Sequence, residues 1–360
     1  MKKVPVLILA ALWAALALSA WFSPAKEIST AERRPLAQMP QFTLSSLANG
    51  KFMADFEDYT LDQFPFRDGF RQIKALFSRN LLAQKDNNGI YVSQGQIAEL
   101  CYPLNEDSVA HALKQIQTVY DLYLAESDCK LYATMVPDKS YYLADTSNHL
   151  AMDHEAMMQM LREGMPWATF TDITGALTLE DYYRTDTHWR QERILPVANL
   201  LAQAMGVSVP EDSFTPVALE RPFYGVYYGQ AALPMEAETM YIMESDLLAQ
   251  YQVYNYVTDS YGPVYDLTRL TANDPYEVFL SGSQSMLRIE NPNATGDRHL
   301  VVFRDSFGSS LVPLLSADYA TVTLLDIRYI QPQLLGKYVQ FTDQDVLFMY
   351  SSLVLNKNLI

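Results

Sequence analysis

Two short strings carry side chains able to do covalent chemistry: Asp186-Thr-His188-Trp189 and, further on, Arg304-Asp-Ser306-Phe-Gly308. A serine hydroxyl is a weak nucleophile at neutral pH. It needs a base within hydrogen-bond reach and a third group that orients the base. Asp186 and His188 lie two positions apart, so an extended segment points both side chains to one side. The carboxylate then takes the Nδ1 proton and leaves Nε2 facing Ser306. The chain has five histidines, and the other four serve less well. His111 sits in a helical pattern, and neither His149 nor His154 has an acid two positions away. His299 has Asp297 at that spacing, but it opens the strand leading to Ser306 and so stands at its wrong end. The chemistry expected is acyl transfer or ester hydrolysis by Ser306, His188 and Asp186. Metal ligation through Asp186 and His188 requires a further clustered ligand, and none recurs at regular spacing. No metal or cofactor is implied, and Trp189 reads as a packing residue that fixes the histidine backbone.

These residues need elements to position them. The apolar run His299–Phe303 reads as a strand delivering Ser306 to its carboxyl end, followed by a helix from Ser306 to Leu315. The N–H groups of that helix start can stabilise an oxyanion. The Ser306 N–H is the first candidate donor and Gly282 the second, while Gly308 permits close approach. On the simpler alternative, Asp305 or Ser306 only caps the helix. Further strands are expected at Lys130–Val136, Trp167–Thr171, Ala320–Leu325 and Asp345–Tyr350. Helices are expected at Asp55–Leu82 with a break at Phe64-Pro65, after the cap Asn105, at His154–Gly164 and at Gln191–Met205. Such alternation predicts a three-layer α/β fold with a mostly parallel sheet, whose functional groups collect at the carboxyl ends of strands. The Tyr-, Gly- and Pro-rich texture of Phe214–Leu287 predicts a β-rich insertion at about residues 210–290.

Lys2 and Lys3 precede an apolar run from Val4 to Phe22. Residues 1–26 therefore read as a signal anchor or a cleaved signal peptide, either of which exports the rest. Trp21 and Phe22 suit an interfacial anchor. Residues 27–360 are then one large globular domain, extracytoplasmic and either anchored or secreted. The formal charge of −16 excludes nucleic acid as a partner. It also argues against a surface that hugs anionic lipid, which leaves the N-terminal segment as the only membrane contact. Cys101 and Cys129 are either a disulfide suited to an exported protein or two separate buried thiols.

The Asp186-Thr-His188-Trp189 and Arg304-Asp-Ser306-Phe-Gly308 strings resemble those of the DHHW family and its relatives, the AlgX/AlgJ-like alginate O-acetyltransferases of the SGNH hydrolase superfamily. The likeness extends to Glu32-Arg-Arg-Pro-Leu36, Phe64-Pro-Phe-Arg67-Asp68, Val136-Pro-Asp-Lys139 and Asp274-Pro-Tyr-Glu-Val-Phe-Leu-Ser-Gly282. It implies an SGNH hydrolase-like (flavodoxin-like) domain with Ser306 as nucleophile, His188 as base and Asp186 as orienter. It further implies O-acetylation of a cell-envelope polysaccharide through an acyl-serine, with a membrane-bound O-acyltransferase as partner. Water as acceptor makes the same site an acetylesterase. Thr187 replaces the family's first histidine, Arg304 stands in place of a glycine, and Ser283-Gln284 stands where an asparagine donor is sought. A non-catalytic polysaccharide-binding assembly factor is the alternative of a different class. Its aromatic platform would be Phe223-Tyr-Gly-Val-Tyr-Tyr228, in a chain with 24 tyrosines.

Overall fold

Successive side chains on a strand point to opposite faces of the sheet, and three central strands sort their apolar residues accordingly. In His299–Arg304, Leu300 and Val302 enter one core while Val301 and Phe303 enter another. Leu347 and Met349 of Asp345–Ser351 join the first core, and Val346, Phe348 and Tyr350 the second. Lys130–Val136 divides Tyr132 and Val136 from Ala133 and Met135 in the same way. A sheet filled on both faces needs helices on both, and it has them.

The computed structural model describes residues 3–360, so Lys2 lies outside the described residues. The sheet strands are β1 (Lys130–Val136), β2 (Thr169–Phe170), β3 (Gln252–Asn255), β4 (Ser260–Gly262), β5 (Met286–Glu290), β6 (His299–Arg304), β7 (Thr321–Leu325) and β8 (Asp345–Ser351). Their order across the sheet is β4-β3-β5-β7-β6-β8-β1-β2. The pairs from β7 through β2 are parallel; β5 pairs antiparallel with both β7 and β3, and β4 antiparallel with β3. The result is the three-layer, mostly parallel SGNH-like α/β fold.

The chain divides into two compact units, one of residues 1–88 with 226–235 and the other of residues 89–225 with 236–360. The first contains α1 (Lys3–Phe22), α2 (Leu44–Ala48), α3 (Lys51–Asp62) and α4 (Arg67–Asn80). Helix α1 is long and apolar enough to cross a membrane. The expected break at Phe64-Pro65 separates α3 from α4. Two of the family-like strings meet in this unit. Asp62 accepts both arms of the Arg34 fork (2.6 and 2.8 Å), while Glu32 faces Arg67, Arg71 (3.2 Å) and Arg34 (3.3 Å). The Arg34 fork holds the Asp62 carboxyl down to about 2. Burial alone pushes Glu32 up, but its three guanidinium neighbours outweigh burial and hold it below the usual carboxylate range.

The second unit holds the sheet with α5 (Glu106–Val119), α6 (Ser140–Ser147), α7 (His154–Gly164), α8 (Leu195–Met205), α9 (Gly308–Leu315) and α10 (Ser352–Asn356). Asn105 caps α5 by accepting the Ser108 N–H at 3.1 Å. Within the 210–290 stretch, Thr215–Phe223 and Glu238–Glu244 form their own antiparallel ladder. Gln252–Glu290 instead contributes the antiparallel strands β3, β4 and β5 to the main sheet.

Cys101 and Cys129 are free thiols, which overturns the disulfide. Helix α5 lies between them in the chain and is about 21 Å long at about 1.5 Å per residue. Its start is tied to the segment after β8, where the Ser108 hydroxyl donates to the Leu355 carbonyl. Cys101 therefore belongs to the carboxyl end of the sheet, whereas Cys129 precedes the first residue of β1 at the amino end. Burial pushes both thiols up.

Candidate active site

Beyond the last residue of β6 the chain turns sharply before α9 begins. Asp305 shapes that turn from below: one carboxylate oxygen accepts the Phe307 N–H at 3.0 Å and the other accepts the Ser351 N–H, at the end of β8, at 2.7 Å. A short acceptor that captures the N–H two residues on competes with helix. For this reason α9 starts at Gly308 and not at Ser306. Arg304 is fully buried, and its Nη1 donates to the Asp305 carbonyl (3.2 Å) and to Ser309 Oγ (3.0 Å). Gly308 leaves room for it, since an added Cβ would lie 2.8 Å from Arg304 Cβ. The arginine in place of the family's glycine thus braces the turn from inside.

Asp186 and His188 do not lie on an extended strand. They form an Asx turn, in which Asp186 Oδ1 accepts the His188 backbone N–H at 3.0 Å. The same oxygen meets His188 Nδ1 at 2.6 Å, and His188 Nε2 meets Ser306 Oγ at 2.7 Å. A carboxylate only accepts, so the imidazole proton sits on Nδ1 and the Nε2 lone pair faces the hydroxyl. Asp186 is 1 % and His188 7 % exposed, which shields these contacts from water.

The loop carrying the pair is closed by a bridge between Tyr182 and Trp189 and by the Tyr183 N–H bond to the His188 carbonyl, 3.1 Å. Two charged side chains, far away in sequence, hold it from opposite polarities. Glu238 accepts the N–H groups of Arg184 (2.6 Å) and Thr185 (2.8 Å) and the Thr185 hydroxyl (2.6 Å). Lys139, 2 % exposed, donates to the carbonyls of Tyr183 (3.0 Å) and Arg184 (3.3 Å). Burial pulls the Lys139 ammonium down to about 7, even with the carboxylates of Asp186, Glu238 and Asp138 opposing the shift. Gly225 lies against this loop: its N–H donates to Thr185 Oγ1 at 2.9 Å, and an added Cβ would collide with Asp186 Cβ at 2.3 Å.

Tyr276 stacks on the His188 ring, 3.9 Å between centroids and 9° from parallel. Ser310 donates its single hydroxyl proton to the Phe307 carbonyl (3.3 Å), so it accepts from both Tyr276 OH and Trp189 Nε1, each at 2.8 Å. Trp189 is buried edge-on to Phe307. The segment behind Tyr276 passes through three successive left-handed residues, Leu280, Ser281 and Gly282. Two of them bear a Cβ, and each costs roughly 1–2 kcal/mol.

The second expected oxyanion donor is occupied, as is the N–H of Gly308. The Gly282 N–H donates to the Phe279 carbonyl (3.1 Å) and the Gly308 N–H to the Asp305 carbonyl (3.2 Å). Gln284 donates to Ser281 and accepts from Asn255. Gly282 is therefore corrected from oxyanion donor to turn residue, while the close approach that Gly308 permits is that of Arg304. Among the described residues, the Ser306 N–H has no protein acceptor.

Lys139, Glu238 and Tyr276 were not singled out by the residue-by-residue reading, which gave Asp305 only the role of a helix cap. Two of them lie in strings that carry the family likeness, Val136-Pro-Asp-Lys139 and Asp274-Pro-Tyr276; nothing local marks Glu238. His154 does have a carboxylate, since its Nε2 meets Asp138 at 2.9 Å, but Asp138 is sixteen residues away. His299 Nδ1 meets Thr321 Oγ1 at 2.8 Å, at the amino end of its strand. In the stretch proposed as an aromatic platform, Phe223 and Tyr227 are buried, Phe223 against Tyr183.

The fold and the carboxyl-end placement of these residues define a protein of the SGNH-like α/β class. The profile described as "DHHW protein" matches residues 104–325, and the chain belongs to the DHHW family. It is similar in structure to a DHHW family protein from Eubacterium siraeum (19 % identity, 75 % of this chain and 93 % of that one, TM-score 0.59). It is also similar to PatB1 of Bacillus cereus (16 % identity, 76 % and 99 % covered, TM-score 0.61), which has also been solved with a sulfonyl adduct (15 % identity, 75 % and 96 % covered, TM-score 0.60). No curated protein matches this sequence.

Proposed function

We propose that this chain is an exported acyl-transfer enzyme that acts through an acyl-serine at Ser306. The observation that carries the reading is the continuous chain of contacts from Asp186 through His188 to Ser306, 2.6 and 2.7 Å long. In the first half-reaction, Ser306 Oγ attacks the carbonyl carbon of an acyl ester while His188 Nε2 takes the hydroxyl proton. The Ser306 N–H faces the developing oxyanion. The bond to the leaving alcohol then breaks, and the proton on Nε2 passes to the departing oxygen. In the second, an acceptor hydroxyl attacks acyl-Ser306, giving its proton to His188, which returns it to Ser306 Oγ. Asp186 keeps the ring in one tautomer and faces the imidazolium that forms in each step.

The family likeness supports acetyl as the acyl group, a cell-envelope polysaccharide as the acceptor and a membrane-bound O-acyltransferase as the partner that supplies the donor. Helix α1, read as a signal anchor or a cleaved signal peptide, supports export of the rest of the chain. Water in place of the sugar gives an acetylesterase from the same residues, because water exclusion decides the acceptor.

The test uses the purified full chain with p-nitrophenyl acetate and a sulfonyl fluoride. Wild type is expected to release p-nitrophenol, to hold acetyl on Ser306, and to be blocked by sulfonylation at that residue. Ser306→Ala is expected to do none of these while melting at the wild-type temperature. Equal turnover by wild type and Ser306→Ala, or sulfonylation elsewhere in the chain, would overturn the assignment.

A further inference from the structure

Helix α4 is built the wrong way round for a helix of a soluble domain. Its buried residues are Ala75 and Ser78. Phe66, Phe70, Ile73, Phe77 and Leu81 recur at spacings of three and four from one cap to the other, so they form a single stripe. Each is between 45 % and 75 % exposed. The helix is anchored through its other side, where Arg71 donates to the Gly229 carbonyl at 2.8 Å and faces Glu32. A stripe of five large apolar side chains directed outward is an interaction surface.

Its distance from α1 identifies the occupant. Lys26, four residues beyond the end of α1, is tied to Gln63 by two hydrogen bonds: its N–H donates to Gln63 Oε1 (2.9 Å), and its carbonyl accepts from Gln63 Nε2 (2.8 Å). Gln63 lies three residues before Phe66. Four residues span at most roughly 14 Å, so wherever α1 leaves a bilayer, the start of α4 is held close to the headgroups. The helix itself carries four basic residues, Arg67, Arg71, Lys74 and Arg79, against the single acid Asp68; Arg67 and Arg71 also face Glu32 and Asp62, so Lys74 and Arg79 supply its remaining positive charge in a chain of −16. The whole-chain charge, which argues against contact with anionic lipid, conceals a local segment of the opposite sign.

We propose that α4 lies along the surface of an anionic bilayer with its stripe in the headgroup boundary, a second membrane contact beside α1. This contact is independent of the chemistry assigned to Ser306. It holds the first unit against the lipid, where α1 alone would leave it tethered at one point.

The full chain, with Cys129→Ser to remove the half-buried thiol, would be reconstituted into vesicles containing phosphatidylglycerol. Ile73→Cys on the stripe and Gln72→Cys on the opposite side would each carry a nitrobenzoxadiazole label. Lipid brominated high in its acyl chains is expected to quench the label at 73 at least about three-fold more than at 72. Phe70→Ser with Phe77→Ser is expected to abolish that difference without shifting the melting temperature. Equal quenching at the two positions would overturn the proposal. So would a label at 73 shielded from aqueous iodide but untouched by brominated lipid, which would mean that a protein surface covers the stripe.

Discussion

The two units handle charge in contrasting ways. In the sheet-bearing unit, Asp186, His188, Lys139 and Asp305 are all buried, and each meets partners of defined geometry. In the unit with α1, the Glu32–Arg34–Asp62–Arg67 cluster is partly exposed, and the apolar side chains of α4 point outward. Buried polar groups are costly unless satisfied, so the first arrangement is worth its cost where a geometry must be held to tenths of an ångström. The second suits adhesion, where a surface must be available. One unit is built to hold atoms still, and the other to present a face.

The largest expected effect separates the units most sharply. Ser306→Ala is expected to lower ester turnover by about 10^4-fold or more, whereas the Phe70→Ser, Phe77→Ser double variant is expected to leave turnover of a soluble ester unchanged. Kinetics on both proteins with one substrate would check this. Asp186→Asn comes next. It preserves the Asx turn but presents an amide to Nδ1, and a fall in kcat of about 10^3–10^4-fold is expected from the wrong tautomer.

Tyr276 tests whether the stacking ring acts on the base or merely fills space. Tyr276→Phe keeps the stack and loses the bond to Ser310. Tyr276→Leu loses both, and with them the ring face that favours an imidazolium. A drop in kcat of about 3- to 30-fold is expected for Leu, and a smaller one for Phe.

Lys139 offers a pH test of the buried clamp. Its folded-state value of about 7 lies below the ordinary 10.5, so between these two values the unfolded chain binds more protons. Stability must therefore rise with pH across that window, and the buried ammonium costs stability below about 7. The melting temperature of wild type minus that of Lys139→Met is expected to climb from pH 7 to 10 and to be flat below 7. The smallest effect belongs to Asp62→Asn in the other unit. A depressed carboxylate contributes above its unfolded value of 3.8, and the contribution fades as pH falls towards about 2. Asp62→Asn is expected to make residues 27–88 slightly more susceptible to limited proteolysis above about pH 4, a difference that shrinks as pH falls towards about 2, with ester turnover at pH 7 untouched.

The central strands were legible because burial on both faces leaves a near-continuous apolar run, as in Lys130–Val136, stopped by Pro137. Helix α5 was legible from its cap and stripe. Strands β3, β4 and β5 were not separable from the Tyr-rich stretch, since these short antiparallel strands lack the continuous apolar run of the parallel ones. At the site, the residue types and their chain order could be read directly, but the local geometry could not. Asp186 and His188 meet through an Asx turn, and α9 begins two residues late because Asp305 takes the Phe307 N–H. Glu238 was invisible, for it holds backbone more than fifty positions away and has no local pattern. The grouping of residues 27–88 with α1 was equally hidden, because ion pairs between distant strings leave no periodicity.

The Asp305 bond to Ser351 has a temporal consequence. Ribosomal synthesis proceeds from the N-terminus, so Asp186, His188 and Ser306 all emerge before β8, whose last residue provides the second N–H for Asp305. Until that strand inserts between β6 and β1, the turn bearing Ser306 lacks one of the two donors that shape it. A nascent or truncated chain ending before Ser351 would hold Asp186, His188 and Ser306 yet lack one of the two bonds that set the turn. The geometry of the turn at Ser306 is thus coupled to the completion of the sheet.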